Sequence, residues 1–177
     1  MPNDGAEVPL GPDLPADRRR SSTTSALLAV GIVVGVVALD QLTKAWAVAQ
    51  SGDGPASIIG TTVELELTRN PGGAFSLFQW ATPLLALLAL VVAFMLARAI
   101  ARTDDRLMLV ALSLVLGGAL GNMCDRVFRS PGFLRGEVVD FVSVGRFPTF
   151  NVADSAITIG AILLIVCVWL RPEPRPG

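Results

Sequence analysis

The chain has 177 residues, of which 52% are hydrophobic and 16% are charged, and its formal net charge is −1. Soluble domains are about one-quarter charged, so this composition indicates a membrane protein, and the near-neutral charge argues against general binding to nucleic acid. Histidine is absent, which excludes Ser-His-Asp and Cys-His catalysis and the usual imidazole metal sites. The two cysteines lack CxxC spacing and suggest neither a zinc site nor a disulfide framework.

Residues 1–25 are polar and rich in proline, glycine and charge, which predicts a disordered tail. A single domain is expected over residues 26–171, followed by a short C-terminal tail, 172–177. This domain contains four apolar stretches, each close to the ~20 residues that cross a bilayer. They cover residues 26–48, 81–97, 107–124 and 152–170.

The lengths of the connectors predict that the four helices alternate in direction. The fold class is therefore an all-α membrane protein, an up-down bundle with both termini on the same side. In the first connector, apolar Val63, Leu65 and Leu67 alternate with glutamates, and this period of two indicates a strand with one apolar face. "RNPGGAF" then predicts a turn. The third connector, "EVVDFVSVGRF", is also strand-like, so we expect a small extracytoplasmic β-sheet resting on the bundle.

Arginines indicate the orientation of the bundle. Eight lie in the tails and the second connector, against six basic residues on the other side, and a compact Arg18–Arg19–Arg20 cluster precedes the first span. Because cytoplasmic segments carry an excess of lysine and arginine, both termini are expected in the cytoplasm. The first and third connectors then face outward.

The polar residues of the spans are predicted to lie at one depth. In an alternating bundle, the later half of span one, the end of span three and the start of span four belong to the same leaflet. A carboxylate at that depth is expensive, about 3 kcal/mol near the centre of a span, and is normally paired or functional. The residues concerned, with those from connectors on the same side, are Asp40, Lys44, Asn70, Asn122, Asp125, Arg126, Asp140, Asn151 and Asp154.

Several of these residues also have a purely structural interpretation. Asp40 and Lys44 are four apart and can pair on one helix face, and Asp125 can form a local ion pair with Arg126 at the end of a helix. The spacing of Asn151 and Asp154 is typical of reciprocal helix capping. None of these interpretations explains Asp140.

Two carboxylates held close together can perform acid–base chemistry without histidine. They cannot both ionise cheaply, so one keeps a proton while the other stays charged. The charged partner can accept a proton from an attacking water, and the protonated partner can polarise a carbonyl and then protonate the leaving nitrogen. Asp154 begins a helix, whose dipole favours the anion, whereas the apolar neighbours of Asp140 favour its neutral form. We therefore expect Asp154 to be ionised first.

The sequence resembles the lipoprotein signal peptidases, also called type II or prolipoprotein signal peptidases. The resemblance rests on five blocks in family order: "LDQLTK", "RNPGGAF", "GGALGNMCDR", "VVDF" and "FNVADSAITIG". It implies an intramembrane aspartyl endopeptidase of the bacterial cell membrane, without a metal or cofactor, with its active site near the outer face. The expected substrate is a diacylglyceryl-modified prolipoprotein, cleaved before the lipidated cysteine.

The resemblance also implies individual roles. The catalytic pair falls on Asp140 and Asp154, while Gly73 belongs to the site through the "RNPGGAF" block. The supporting and substrate-binding residues are otherwise those of the polar set above: Asp40, Lys44, Asn70, Asn122, Asp125, Arg126 and Asn151. The family is inhibited by the cyclic peptide globomycin and is monomeric, so a globomycin-type inhibitor, membrane lipid and the prolipoprotein are the expected partners.

Two other functions compete with this interpretation. A transporter or proton channel would use membrane carboxylates as relays, but it would distribute charges across the depth of the membrane. An assembly protein would use the small-residue patterns Gly31–Gly35 and Gly117–Gly121 for close helix packing, but it gives Asp140 no role.

Overall fold

The structure is a computed structural model that describes residues 16–50, 56–59, 62–71 and 82–170. In this part of the chain, four long helices are joined by connectors, and the first and third connectors form a small sheet. The elements in chain order are α1 (Ala16–Gln50), β1 (Ala56–Ile59), β2 (Val63–Asn70), α2 (Thr82–Ile100), α3 (Arg106–Phe128), β3 (Val138–Val144), β4 (Phe147–Phe150) and α4 (Val152–Trp169).

The predicted membrane spans are confirmed. Four helices in the described part of the chain are long and apolar enough to cross a bilayer, and large apolar side chains such as Leu27, Phe94 and Ile165 are 69%, 66% and 69% exposed on their outer surfaces. Apolar outer surfaces on helices of this length are typical of membrane-spanning helices. The fold is therefore the expected helical membrane bundle with a small sheet.

The first helix is longer than predicted. It begins at Ala16, so residues 16–25, which the composition assigned to a disordered tail, are helical, and residues 1–15 lie outside the described part of the chain. Extending an existing helix costs far less than nucleating one, and the apolar run after residue 25 supplies that nucleus.

Helix α3 is the centre of the bundle, packing against each of the other three helices. Glycines allow this close approach. A Cβ on Gly117 would lie 2.8 Å from the Cβ of Val36 on α1, and a Cβ on Gly118 would lie 2.3 Å from the backbone oxygen of Ala153 on α4. The prediction that the Gly117–Gly121 pattern packs helices closely is confirmed.

The same prediction is wrong for Gly31 and Gly35. A Cβ at either position would meet no atom within 4 Å among the described residues. Both sequence patterns have identical spacing, but only the face of α3 that carries Gly117 and Gly121 points at another helix. Spacing fixes which residues share a face, and the rotation of the helix decides what that face meets.

The predicted strands are confirmed and form one antiparallel sheet in the order β1-β2-β3-β4. In the register of β2 and β3, Thr68 lies opposite Asp140 and Asn70 lies opposite Val138. The tight β3–β4 hairpin then returns the chain to the bundle, where Asn151 alone separates β4 from α4. Asp140 and the start of α4 are brought together by this hairpin.

Candidate active site

The predicted polar residues of the described chain meet at one end of the bundle. They come from α1, the end of β2, the C-terminal end of α3, β3 and the N-terminal end of α4. Gly73 lies outside the described residues. Four of the set (Asp40, Lys44, Asp125 and Asn151) are completely inaccessible to solvent, and Asp140 is 3% exposed.

Lys44 is the centre of a buried ion network. Its Nζ lies 2.8 Å from Oδ2 of Asp40 and 2.8 Å from Oδ2 of Asp125, and it donates a hydrogen bond to Oδ1 of Asn122 at 2.9 Å. The expected local pair with Asp40 is therefore present, but it is only one part of the network. An ammonium group has three donors, and here all three have an acceptor, as burial of this charge requires.

Asp125 holds three segments of the chain together. Besides Lys44, it accepts a hydrogen bond from the backbone N–H of Val139 at 3.1 Å and is paired with Nε of Arg129 at 2.6 Å. The residue that follows Val139 is Asp140, so this carboxylate fixes β3 next to the candidate catalytic position. Asp125 thus positions Asp140 through the backbone N–H of Val139.

The expected local ion pair between Asp125 and Arg126 is wrong. Successive residues point in different directions from a helix, and the partner of Asp125 is Arg129, one turn further on. The Nη1 of Arg126 instead donates to the backbone oxygens of Asn70, Pro71 and Gly136. Arg126 thereby ties the end of β2 and the segment just before β3 to α3.

Asn151 connects the two candidate catalytic aspartates. Its Nδ2 donates to Oδ1 of Asp140 at 2.7 Å, and its Oδ1 accepts from the backbone N–H of Asp154 at 2.9 Å. Asp154 completes the predicted capping box, since its Oδ2 accepts from the backbone N–H of Asn151 at 3.2 Å. One side chain therefore caps α4 and contacts Asp140.

Asn122 orients Asp154 from the other side. Its Nδ2 donates to Oδ1 of Asp154 at 2.8 Å, while its own Oδ1 accepts from Lys44 and from Asn151. Because Lys44 is only a donor, it fixes which end of the amide is the oxygen and turns the NH₂ group towards Asp154. The buried ions thus set the orientation of groups around the carboxylate.

The electrostatic environment of Asp140 favours its neutral form. Burial, and secondly the charge of Asp154, raises the pKa of Asp140 to about 6, although hydrogen bonds from Asn151 and Asn70 act in the opposite direction. The bond from Asn70 is long, at 3.4 Å. A carboxyl group with this pKa can carry a proton close to neutral pH.

Asp140 and Asp154 line the same open cavity, whose volume is about 580 Å³. Its walls come from α2, α3, α4 and the β4 edge of the sheet, and most of its surface is apolar. Representative lining residues are Leu85, Ala89, Ala119, Phe147, Phe150 and Ile157. Such a cavity can bind an apolar group next to two carboxyl groups that are capable of acid–base chemistry.

Two residues of the network were missed by the sequence interpretation. Gln41 donates from Nε2 to Oδ2 of Asp40 and to Oδ1 of Asp125, and Arg129 pairs with Asp125. The i,i+4 spacing of Asp125 and Arg129 was a usable signal. No sequence signal pointed to Gln41, because its contact with Asp125 depends on how α1 and α3 pack.

The fold and the site define a polytopic membrane protein with a buried polar network beside a partly apolar cavity. A sequence model of the family described as signal peptidase (SPase) II matches residues 32–170. The chain therefore belongs to the signal peptidase II family, a family of peptidases.

Proteins named lipoprotein signal peptidase are similar over most of the chain. The one from Rhodococcus jostii is 50% identical over 145 residues, covering 81% of this chain and 73% of the relative. The Mycobacterium avium protein is 44% identical over 164 residues, covering 90% and 87%, and the Mycobacterium tuberculosis protein is 45% identical over 159 residues, covering 88% and 75%.

Two solved structures share the fold. Both are described as bacterial membrane enzymes determined by the in meso method. One has a TM-score of 0.72 at 30% identity and covers 85% of this chain and 94% of its own. The other has a TM-score of 0.70 at 32% identity, with coverages of 82% and 94%.

Proposed function

We propose that this protein is an intramembrane aspartyl endopeptidase that removes the signal peptide from diacylglyceryl-modified prolipoproteins, cleaving before the lipidated cysteine. The observation that carries the proposal is that Asp140 and Asp154 line one cavity and are joined through Asn151. The names of the relatives support the substrate class.

The proposed mechanism divides the work between the two carboxyl groups. Asp154, ionised, takes a proton from a water molecule while the water oxygen bonds to the scissile carbonyl carbon. Asp140, protonated, donates a hydrogen bond to the carbonyl oxygen as negative charge develops there. When the carbon–nitrogen bond breaks, a proton passes from the carboxyl pair to the leaving nitrogen, and the pair returns to its single-proton state.

The surrounding network supports this division. Asn122 and the N–H of Asn151 both donate to Asp154, which stabilises its charged form. Asp140 is buried and its pKa is raised to about 6, which keeps a proton available. The two groups titrate as a pair, so this assignment names the preferred arrangement of their shared proton.

The substrate is proposed to reach the site from the bilayer. α2 packs against α3, and Leu85 and Ala89 on α2 line the cavity together with Ile157 on α4. The diacylglyceryl chains would lie along these apolar walls while the peptide meets the carboxyl pair. A globomycin-type peptide inhibitor would occupy the same cavity, and the protein would act as a monomer.

We also propose that both termini are cytoplasmic and that the carboxyl pair lies near the outer face of a bacterial cell membrane. The arginine-rich ends of the helices support this orientation. Cysteine-labelling with a membrane-impermeant reagent in intact cells tests it: Arg146→Cys should react and Arg102→Cys should not. The reverse pattern would invert the topology.

Cleavage of a lipidated prolipoprotein by the purified protein in detergent tests the function directly. Asp140→Asn and Asp154→Asn should each lower the rate of signal-peptide release by about 10³-fold or more, because each removes a general acid or base. The matched control is Glu66→Gln, which neutralises an exposed carboxylate on β2 and should leave the rate unchanged. Full cleavage by either aspartate variant would remove the proposed mechanism, and ion flux without cleavage would favour a transporter.

A further inference from the structure

A second cavity lies at the end of the bundle opposite the carboxylates. It has a volume of about 800 Å³ and opens between the N-terminal part of α1, the C-terminal end of α2 and the start of α3. Its lining includes Ser25, Ala29, Ala97, Ala101, Thr103 and Leu109. Ser25 is 15 residues before Asp40 along α1, or about 22 Å at 1.5 Å per residue, so this cavity is separate from the active site.

The cavity exists because α1 and α2 both pack against α3 but have little contact with each other. Small side chains widen the groove: three of the residues that line it on α1 and α2 are Ala29, Ala97 and Ala101. Its floor includes Leu109 on α3, which is 3% exposed. The result is a groove whose walls on α1 and α2 are mostly small apolar side chains and whose end at Thr103 and Asp104 forms a polar rim.

Three exposed arginines flank, along the chain, the residues that line this end of the cavity. Arg98 and Arg102 are exposed at the end of α2 and just after it, and Arg106 is exposed at the start of α3. Among the residues at this end whose side chains the structure describes, these three arginines oppose two aspartates, Asp104 and Asp105, and Asp104 itself lines the cavity.

We propose that this groove is a binding site for an anionic phospholipid of the leaflet opposite the active site. One acyl chain would occupy the apolar groove between α1 and α2, and the phosphate would lie among the arginines at the rim. Charge complementarity selects an anionic headgroup, and the groove continues the lipid-facing surfaces of the two helices. The lipid would fill the space between α1 and α2.

The positive-inside rule for membrane proteins would by itself also place arginines at this end of the helices. It does not require an 800 Å³ groove beside them. The two explanations differ in what a variant does: an arginine that only sets orientation has no effect on lipid binding by the purified, folded protein.

Thermal unfolding of the full chain in detergent, with added dioleoyl phosphatidylglycerol or dioleoyl phosphatidylcholine, tests the proposal. Phosphatidylglycerol should raise the midpoint in a saturable manner and phosphatidylcholine should raise it much less, because only binding to the folded state stabilises. Inorganic phosphate alone should have no such effect. Equal stabilisation by both lipids, or by free phosphate, would overturn the proposal.

Three variants locate the site. Ala97→Phe fills the groove from the surface of α2 and should abolish the effect of phosphatidylglycerol, whereas Met95→Phe, which is 64% exposed and outside the groove, should retain it. Arg102→Gln should weaken phosphatidylglycerol binding about fivefold, as expected for one basic residue near an anionic lipid. If Ala97→Phe does not fold, Arg102→Gln still decides, because unchanged affinity there contradicts the headgroup contact.

Discussion

Asn151 donates a hydrogen bond of 2.7 Å to Asp140 with the same side chain that caps α4 at Asp154. The helix cap and the candidate catalytic pair are therefore one structural unit. A capping residue is normally exchangeable among Asn, Asp, Ser and Thr. An amide carries its acceptor and its donor on two separate atoms, so Asn151 accepts from the N–H of Asp154 through Oδ1 and donates to Asp140 through Nδ2 at the same time.

Asn151→Ser separates these two roles. Serine retains an oxygen for the cap but loses the Nδ2 donor, whereas Asn151→Ala loses both. We expect the serine variant to be more stable than the alanine variant by about 1 kcal/mol and both to lose at least about tenfold in kcat, measured by thermal unfolding and by cleavage of a lipidated prolipoprotein. Because the bond from Asn151 lowers the pKa of Asp140, both variants should also shift the upper pH limb of activity towards higher pH. Wild-type kcat in the serine variant would show that the donor is dispensable.

The pH dependence of cleavage should reflect the raised pKa of Asp140. This group must carry the proton, and its pKa is about 6, so kcat/KM should decrease as the pH rises through about 6. The profile is measured with limiting substrate in detergent, where kcat/KM reports the ionisation of the free enzyme. A rate that increases steadily from pH 6 upwards would contradict the assignment of the proton to Asp140.

The same pKa predicts an effect on stability with the opposite sign to that of most carboxylates. Asp140 has a folded pKa of about 6, above its ordinary 3.8. Its contribution to the free energy of unfolding is therefore fully present below the unfolded pKa and is lost as the pH rises through about 6. Asp140→Asn should therefore be more stable than wild type above that pH, by up to about 3 kcal/mol, and similar to it in acid. Thermal midpoints of the two proteins at several pH values provide the test, with Glu66→Gln as the control for loss of an exposed charge.

Lys44→Met should strongly destabilise the protein. The substitution leaves Asp40 and Asp125 buried without the ammonium group that contacts both, and breaking a buried ion pair from one side typically costs about 3–5 kcal/mol. Arg129→Met is the matched control: its side chain is 24% exposed, and water can replace part of the lost contact, so its effect should be smaller. Equal midpoints for Lys44→Met and wild type in detergent would show that the network is not required for folding.

Two glycines, each in the interior of a helix, should respond oppositely to substitution by alanine. In Gly118→Ala, the new Cβ would lie 2.3 Å from the backbone oxygen of Ala153, so α4 must shift, at a cost of about 1–3 kcal/mol. In Gly31→Ala, the Cβ meets no atom of the described residues within 4 Å, and the higher helix propensity of alanine should make the change neutral or stabilising by up to about 1 kcal/mol. Because α4 carries Asp154, Gly118→Ala should lower activity as well as stability, as a cleavage assay would show.

Much of the fold could be predicted from local sequence. The four spans follow from runs of apolar residues, and the strands of the connectors follow from alternation around Leu65 and from the run 138–144. The alternation of helices also predicts that Asp40, Asp125 and Asp154 lie at one end of the bundle. These features depend on hydropathy and on the fixed rise per residue of a helix, both of which are properties of the chain itself.

Only the tertiary structure decided which groups meet. Asp125 contacts Lys44 and the N–H of Val139 and not its neighbour Arg126, while a Cβ on Gly31 would meet no atom of the described residues within 4 Å. Each outcome depends on the rotation of a helix about its axis and on the register between β2 and β3. Those quantities are set by packing between segments distant in the chain, and no spacing within a single segment contains them.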